Sequence, residues 1–161
     1  MEHIPYFKLQ AKNLLKDFKT RFFDEKEEMY DYSPTFFDVS SIFLDYDIPD
    51  YNSEFTFTLM NAQHMIAKLA GFKKWDDLLN AESAKLELAH LLFDNAYKIS
   101  LEEWGMYIEE IKSSNNAIVD IPMQIQILKT VFLQSEEHRS DFLPYRLDLQ
   151  KKWSSQNSEL E

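Results

Sequence analysis

The chain has 161 residues, of which 45% are hydrophobic, and a formal net charge of −11 at pH 7. This length and apolar content are typical of one folded domain and exclude a disordered chain. The absence of cysteine excludes disulfides, thiolate metal sites and cysteine nucleophiles, and the negative charge opposes nucleic-acid binding except at a local basic face.

The scarcity of glycine points to a helical fold. Two glycines in the whole chain argue against an all-β fold with many tight turns and against phosphate-binding loops. Helical periodicity predicts an all-α, mainly helical single domain of about six to eight helices over residues 1–153, followed by a flexible tail at 154–161. A short β pair formed by 54–58 and 145–149 is expected beside the helices. The charged N-terminal segment and the absence of a long apolar stretch predict a cytoplasmic protein without a membrane span.

The first predicted helix runs from about Pro5 to about Phe22 and has two contrasting faces. One face is apolar, and a lysine stripe lies beside it. The stripe consists of Lys8, Lys12, Lys16 and Lys19. It is interpreted as a solvated helix face or, alternatively, as a docking face for an acidic partner or a phosphate backbone.

An aromatic-acidic segment follows at 22–57. Residues 22–60 hold ten acids against one lysine, a net charge of −9. Ser40 is predicted to cap a short helix that ends near Tyr46, and the alternation of Phe55 and Phe57 with threonines predicts a short strand. Such aromatic density favours a segment that folds over the core, with an exposed recognition loop as the alternative.

A sharp helical corner is predicted where a helix with a Thr58 cap ends at Ala70. Gly71 is expected to take the left-handed conformation that closes a helix end. Phe72 then folds back onto the helix, and Trp75 opens a short helix to about Asn80. We interpret the corner as a folding device.

DNA reading by this corner is disfavoured, because its second helix opens with Asp76 and Asp77, whose carboxylates would be repelled by base edges and phosphates.

One polar residue, Gln63, falls within the apolar arc of the helix before the corner. A buried glutamine needs hydrogen-bond partners, and backbone of the acidic segment or of the corner is expected to supply them. A ligand contact is the alternative, with His64 and Lys68 on the opposite face as further candidate binding residues.

Two stretches, LQAKNLL at 9–15 and TLMNAQHMIAKLAGFKKWDDLLNA at 58–81, resemble the bacterial module called the glyoxalase-related domain. The matching residues are Ala11, Lys12, Ala62, Gln63, Ala67, Gly71, Phe72, Trp75 and Leu78. The whole chain also resembles small bacterial proteins. The family name implies a βαβββ metal fold, whereas this helical chain lacks that strand pattern. The resemblance therefore implies the corner, within residues 9–81, and no catalysis.

The second half of the chain carries further helix signals. Helices are predicted from about Ser83 to Tyr97, from a capping box at Ser100 and Glu103 to about Lys112, and after an Asp120 cap. Residues 145–149 alternate in a way that suits either a strand or a helix.

Glu87 and His90 have the Glu-x-x-His spacing of carboxylate-bridged di-iron bundles, and Asp94 lies one turn further on. Such a bundle needs a second pair, which the sequence lacks, so a solvated helix edge is favoured over a metal site. The sequence indicates no cofactor and no catalytic residue.

Four hypotheses for function remain. The first is a non-catalytic interaction protein of the bacterial cytosol that binds another protein through the aromatic-acidic segment or the lysine stripe. The second is a nucleic-acid-binding regulator that uses the stripe together with Lys73 and Lys74. The third is an acidic mimic of DNA, and the fourth is a small-molecule or metal-dependent enzyme. The oligomeric state is left open.

Overall fold

The computed structural model describes residues 2–158, and within them it shows the predicted mainly helical domain, which has eight α-helices and one short hairpin. In chain order the elements are α1 (His3–Phe18), β1 (Phe22–Asp24), β2 (Met29–Asp31), α2 (Val39–Asp45), α3 (Leu59–Leu69), α4 (Trp75–Leu79), α5 (Ser83–Asp94), α6 (Leu101–Asn115), α7 (Ile121–Ile127) and α8 (Leu147–Ser158). A π-helical turn, Leu128–Leu133, continues α7. No helix in the described part of the chain is long and apolar enough to cross a membrane.

The predicted β pair of 54–58 and 145–149 is wrong. The hairpin is formed by β1 and β2, with Phe23 opposite Tyr30. Phe55 and Phe57 form no strand, and both rings pack against Phe18 instead. Their alternation therefore reflects packing onto the core and not ladder pairing. In the other predicted strand, Arg146 forms one isolated antiparallel bridge with Phe37, and α8 begins at the next residue.

Several helix boundaries differ from the predicted ones: α5 ends at Asp94 and not near Tyr97, and α6 extends past Lys112 to Asn115. Helix α1 ends at Phe18, four residues before the predicted end at Phe22, and the Thr20 hydroxyl binds the Asp17 carbonyl there at 2.6 Å. The cap of α2 is Asp38 and not Ser40, because the Asp38 carboxylate accepts from the Ser41 amide. Helix α8 crosses residue 154, where the tail was expected to start, and reaches Ser158; residues 159–161 lie outside the described residues.

A buried carboxylate determines how the chain crosses from α1 to α2. Asp17 is 2% exposed and accepts hydrogen bonds from the backbone amides of Thr35, Phe36 and Phe37 at 2.7 to 2.8 Å. Because buried amides need acceptors, this one side chain satisfies three consecutive donors. It thereby positions the segment that leads into α2.

Two hydrophobic clusters share helix α5. The first cluster lies between α1, α2 and α3 and includes Phe7, Phe43 and Ile66. The second lies between α5, α6, α7 and the π-helical turn, and it contains Ile125, Leu128 and Phe132. Helix α5 gives Leu86, Ala89 and Phe93 to the first cluster and Leu88 and Leu92 to the second.

The predicted corner is confirmed. Gly71 has a φ of +95°, its amide donates to the Lys68 carbonyl at 3.0 Å, and the Phe72 amide donates to the Ala67 carbonyl at 2.9 Å. This pair of bonds is the Schellman motif that closes a helix end. Phe72 is buried and Trp75 is half-buried against the first cluster, so both rings serve the interior.

The predicted caps of α3, α6 and α7 are confirmed as well. Thr58 and Asn61 form a capping box for α3, and Ser100 and Glu103 form one for α6. The Asp120 carboxylate accepts from the Met123 amide at the start of α7.

Candidate functional site

The lysine stripe lies on the outside of α1. Lys8, Lys12, Lys16 and Lys19 are all exposed, and none of them is in an ion pair within the described residues. The geometry thus agrees with an open basic face. Whether this face binds anything stays a prediction.

The candidate residues on α3 do not converge into a site. Gln63 and His64 are half-buried, whereas Lys68 is exposed. The expectation that Gln63 is buried and bound by nearby backbone is wrong, since its side chain has no hydrogen bond within the part of the chain that the structure describes. The buried face of α3 is centred on Ala62 and Ile66, which leaves Gln63 at its edge, where water can satisfy the amide.

The structure separates Glu87 from His90 and Asp94. Glu87 pairs with Lys129 at 3.5 Å, while His90 Nε2 contacts Asp94 Oδ2 at 3.1 Å. Among residues 2–158 no group of three or more histidine and acidic side chains is arranged to hold a metal ion.

Instead of facing solvent alone, His90 and Asp94 belong to a polar network that joins α1, α5 and the start of α8. His90 Nδ1 lies 2.9 Å from Nδ1 of His3, which is 4% exposed. The Tyr6 ring stacks on His90 with centroids 3.7 Å apart, and its hydroxyl donates to Asp94. Arg146 donates to Asp94 at 2.6 Å and to the Tyr6 hydroxyl at 3.1 Å.

These contacts assign the protons of the network. Nε2 of His90 faces a carboxylate and therefore carries the hydrogen, which leaves Nδ1 of a neutral His90 to accept from His3. Burial lowers the pKa of His90, against the opposing effect of Asp94, so the neutral form is favoured. Burial and the hydrogen bond to Asp94 raise the pKa of Tyr6 far above its ordinary value, which keeps the phenol a donor.

The network anchors a wall segment, which we define as residues 142–149. In the C-terminal half of this segment, Arg146 forms ion pairs with Asp94 and, at 2.7 Å, with Asp148. Just before its N-terminal end, the buried Ser140 hydroxyl donates to Glu103. Burial alone raises the pKa of Glu103, but hydrogen bonds from Ser140, Ser100 and Asp141 outweigh it and lower the pKa.

The wall segment closes one side of a cleft of about 710 Å³. The other sides are formed by α2, the end of α3, the inner face of α5 and the start of α6. Leu101, Phe142 and Leu143 line this cleft and are exposed to solvent.

A second concave region lies beside the hairpin. Met29, Leu44 and Tyr51 line a groove of about 440 Å³. Phe22 shares a face of the hairpin with Met29, because its cross-strand partner Asp31 is two residues away from Met29. We call Phe22, Met29, Leu44 and Tyr51 the hairpin surface.

Comparison of the chain with protein-family models, with curated proteins and with solved structures found no match. The resemblance to the glyoxalase-related domain therefore stays a prediction. The residues that define the network and the cleft were missed because they are far apart: Arg146 is 52 positions from Asp94 and 140 from Tyr6. Only the one-turn spacing of His90 and Asp94 was visible in the sequence.

Proposed function

We propose that this protein is a non-catalytic interaction protein that binds a basic segment of another protein on its hairpin surface. The observation that carries the proposal is the exposure of four large apolar side chains, of which three line the groove and the fourth, Phe22, shares the hairpin face of Met29. Leu44 and Tyr51 are each 78% exposed, Met29 56% and Phe22 44%. Exposed apolar side chains that adjoin one another in this way are typical of interaction sites.

The charge around the hairpin surface supports a basic partner. Asp24 and Asp31 share the hairpin face of Phe22 and Met29, and Asp47 and Asp50 line the groove. Of the nearby cations, Arg21 lies over the Tyr30 ring at 4.2 Å and binds the Asp50 carbonyl at 3.0 Å, and Lys26 lies in the hairpin turn among three glutamates. Complementary charge steers such a partner to the surface and orients it there.

The polar network supports a structural role for the ionisable residues in the interior. His3, Tyr6, His90 and Arg146 bind one another or Asp94 and hold the wall segment in place. A location in the bacterial cytosol is part of the proposal, and the acidic, cysteine-free composition supports it.

The test is a selection of peptides from a displayed random library on the full chain. We expect the enriched peptides to combine apolar residues with lysine or arginine. Their affinity should fall about tenfold on Leu44→Ser or Tyr51→Ser, as for central contacts of an interface.

Met106→Ser is the matched control, because Met106 is 69% exposed on α6 and is not among the residues that line the groove. This variant should bind the same peptides as the unaltered chain. An absence of enrichment, or enriched peptides that bind equally to Leu44→Ser and Tyr51→Ser, would overturn the proposal.

A further inference from the structure

The cleft behind the wall segment has the dimensions of a small-molecule site. Its volume of about 710 Å³ lies within the range of roughly 300 to 1,000 Å³ that is common for ligand pockets. Three alanines, Ala70, Ala89 and Ala96, contribute to its lining, and their small side chains leave room between the helices. Larger apolar residues, among them Phe37, Leu92 and Phe93, supply the remaining apolar surface.

One part of the cleft combines a carboxylate with two tyrosine rings. Asp45, the last residue of α2, accepts from the Tyr145 hydroxyl through Oδ2 at 2.6 Å. Its Oδ1 has no hydrogen-bond partner within the described chain. The rings of Tyr46 and Tyr145 lie 6.4 Å apart between centroids, with 54° between their planes. Tyrosine faces beside a carboxylate are a recognised arrangement for binding ammonium groups.

Acidic residues outnumber basic residues in the lining of the cleft. Its described lining contains the acids Asp38, Asp45 and Glu102 but a single cation, Arg146. Arg146 is already bound by two carboxylates that do not line the cleft, those of Asp94 and Asp148.

The helix that presents Asp45 adds to this imbalance. The C-terminal end of α2 has a partial negative charge from its carbonyl groups, and no basic residue lies in its last turn. Asp45 therefore adds a full negative charge where the backbone is already negative.

We propose that the cleft binds an organic cation with an apolar body. The ammonium group lies against Asp45, Tyr46 and Tyr145, and the apolar body extends along the face of α5 that includes Leu92 and Phe93. This site is separate from the hairpin surface.

The experiment measures binding of three probes with the same alkyl chain to the full protein by calorimetry. The probes are hexyltrimethylammonium, the neutral 1-hexanol and the anionic hexyl sulfate. We expect the ammonium probe to bind most tightly, and its affinity to fall about fivefold on Asp45→Asn, which removes the charge that faces it. Ala96→Leu should weaken all three probes because it fills the cleft.

Asp47→Asn is the matched control. Asp47 is an exposed acid two residues from Asp45 that lines the hairpin groove and not the cleft, so this variant should bind the ammonium probe like the unaltered chain. Circular dichroism establishes that each variant is folded.

Equal binding of the three probes, binding unaffected by Asp45→Asn, or no binding of the ammonium probe would each overturn the proposal. Binding of lysine-bearing peptides in the cleft without the ammonium probe would also overturn it, and would assign the cleft to a protein partner. None of these results depends on the hairpin surface, which is tested with different variants.

Discussion

Asp17 concentrates three backbone hydrogen bonds on one buried carboxylate. Asp17→Asn replaces one carboxylate oxygen by an amide group that cannot accept, so at least one of the Thr35, Phe36 and Phe37 amides loses its partner. We expect the free energy of unfolding to fall by about 2 kcal/mol, in the range for hydrogen bonds to charged groups. Urea denaturation measures the change. Asp141→Asn, at an exposed position, is the control and should leave stability unchanged; an equal loss in both variants would contradict this role.

His90 gives the protein a dependence on mildly acidic pH. Because its pKa is lowered in the fold, the unfolded chain takes up the proton first as pH falls below about 6.5, and the folded state loses stability. We expect the loss of unfolding free energy between about pH 7.5 and about pH 5.5 to be smaller in His90→Gln than in the unaltered chain. Urea denaturation at the two pH values measures it.

His64→Gln is the control for this pH effect, since His64 is half-buried but has no hydrogen bond within the described residues. Its stability should change with pH as that of the unaltered chain does. A pH response that is identical in His90→Gln and the unaltered chain would contradict the assignment to His90.

At the scale of single residues, the sequence predicts local hydrogen bonds and misses distant ones. The caps at Thr58, Ser100 and Asp120 involve partners three positions away, and such spacing is visible in one sequence. His3 and His90 are 87 positions apart. Only the packing of α1 against α5 brings them together, and no periodicity records that packing.

We expect substitution of the two glycines by alanine to change the free energy of unfolding in opposite directions. Gly71→Ala should lower the free energy of unfolding by about 1 to 2 kcal/mol, because φ is +95° and the added Cβ would lie 3.2 Å from Leu101 Cδ2. Gly105→Ala should raise it by about 0.5 to 1 kcal/mol, because Gly105 lies inside α6 with open space around it.

The midpoint of thermal unfolding of the two glycine variants measures both effects under one set of conditions. Each variant serves as the control for the other, since both add the same methyl group. Shifts of the same sign in both would contradict the assignment of the left-handed conformation to Gly71 and not to Gly105.

At the scale of elements, strong helical periodicity predicts helices correctly, whereas a short alternation of apolar and polar residues does not predict a strand correctly. The helices α3 to α6 each begin at the residue that the sequence predicted. Phe55 and Phe57 alternate like a strand, yet their rings pack on the core without a partner strand. The hairpin was missed because Phe22 and Phe23 continue the apolar character of α1, and nothing in their spacing marks the helix end at Phe18.

At the scale of the molecule, helix α5 contributes side chains to both hydrophobic clusters, and we expect the two clusters to unfold as one cooperative unit. Trp75 packs against the first cluster and Trp104 lies in the second. The chain has three tryptophans, and we expect variants that retain Trp75 alone or Trp104 alone to show the same urea midpoint by fluorescence as by circular dichroism, the usual test of two-state unfolding. Two separate midpoints would mean that the clusters unfold independently. Leu92→Ala, which opens the second cluster on α5, should lower both midpoints together.

The bridge between the start of α2 and the wall segment has a consequence for biosynthesis. The Asp38 amide donates to the Tyr145 carbonyl at 2.7 Å, and the Leu147 amide donates to the Phe36 carbonyl at 2.9 Å. The residues around Phe37 are therefore synthesised more than a hundred positions before the residues that they bind. During that interval the apolar residues of the cleft lack the cover that the wall segment gives them, and transiently exposed apolar surface of this kind favours aggregation.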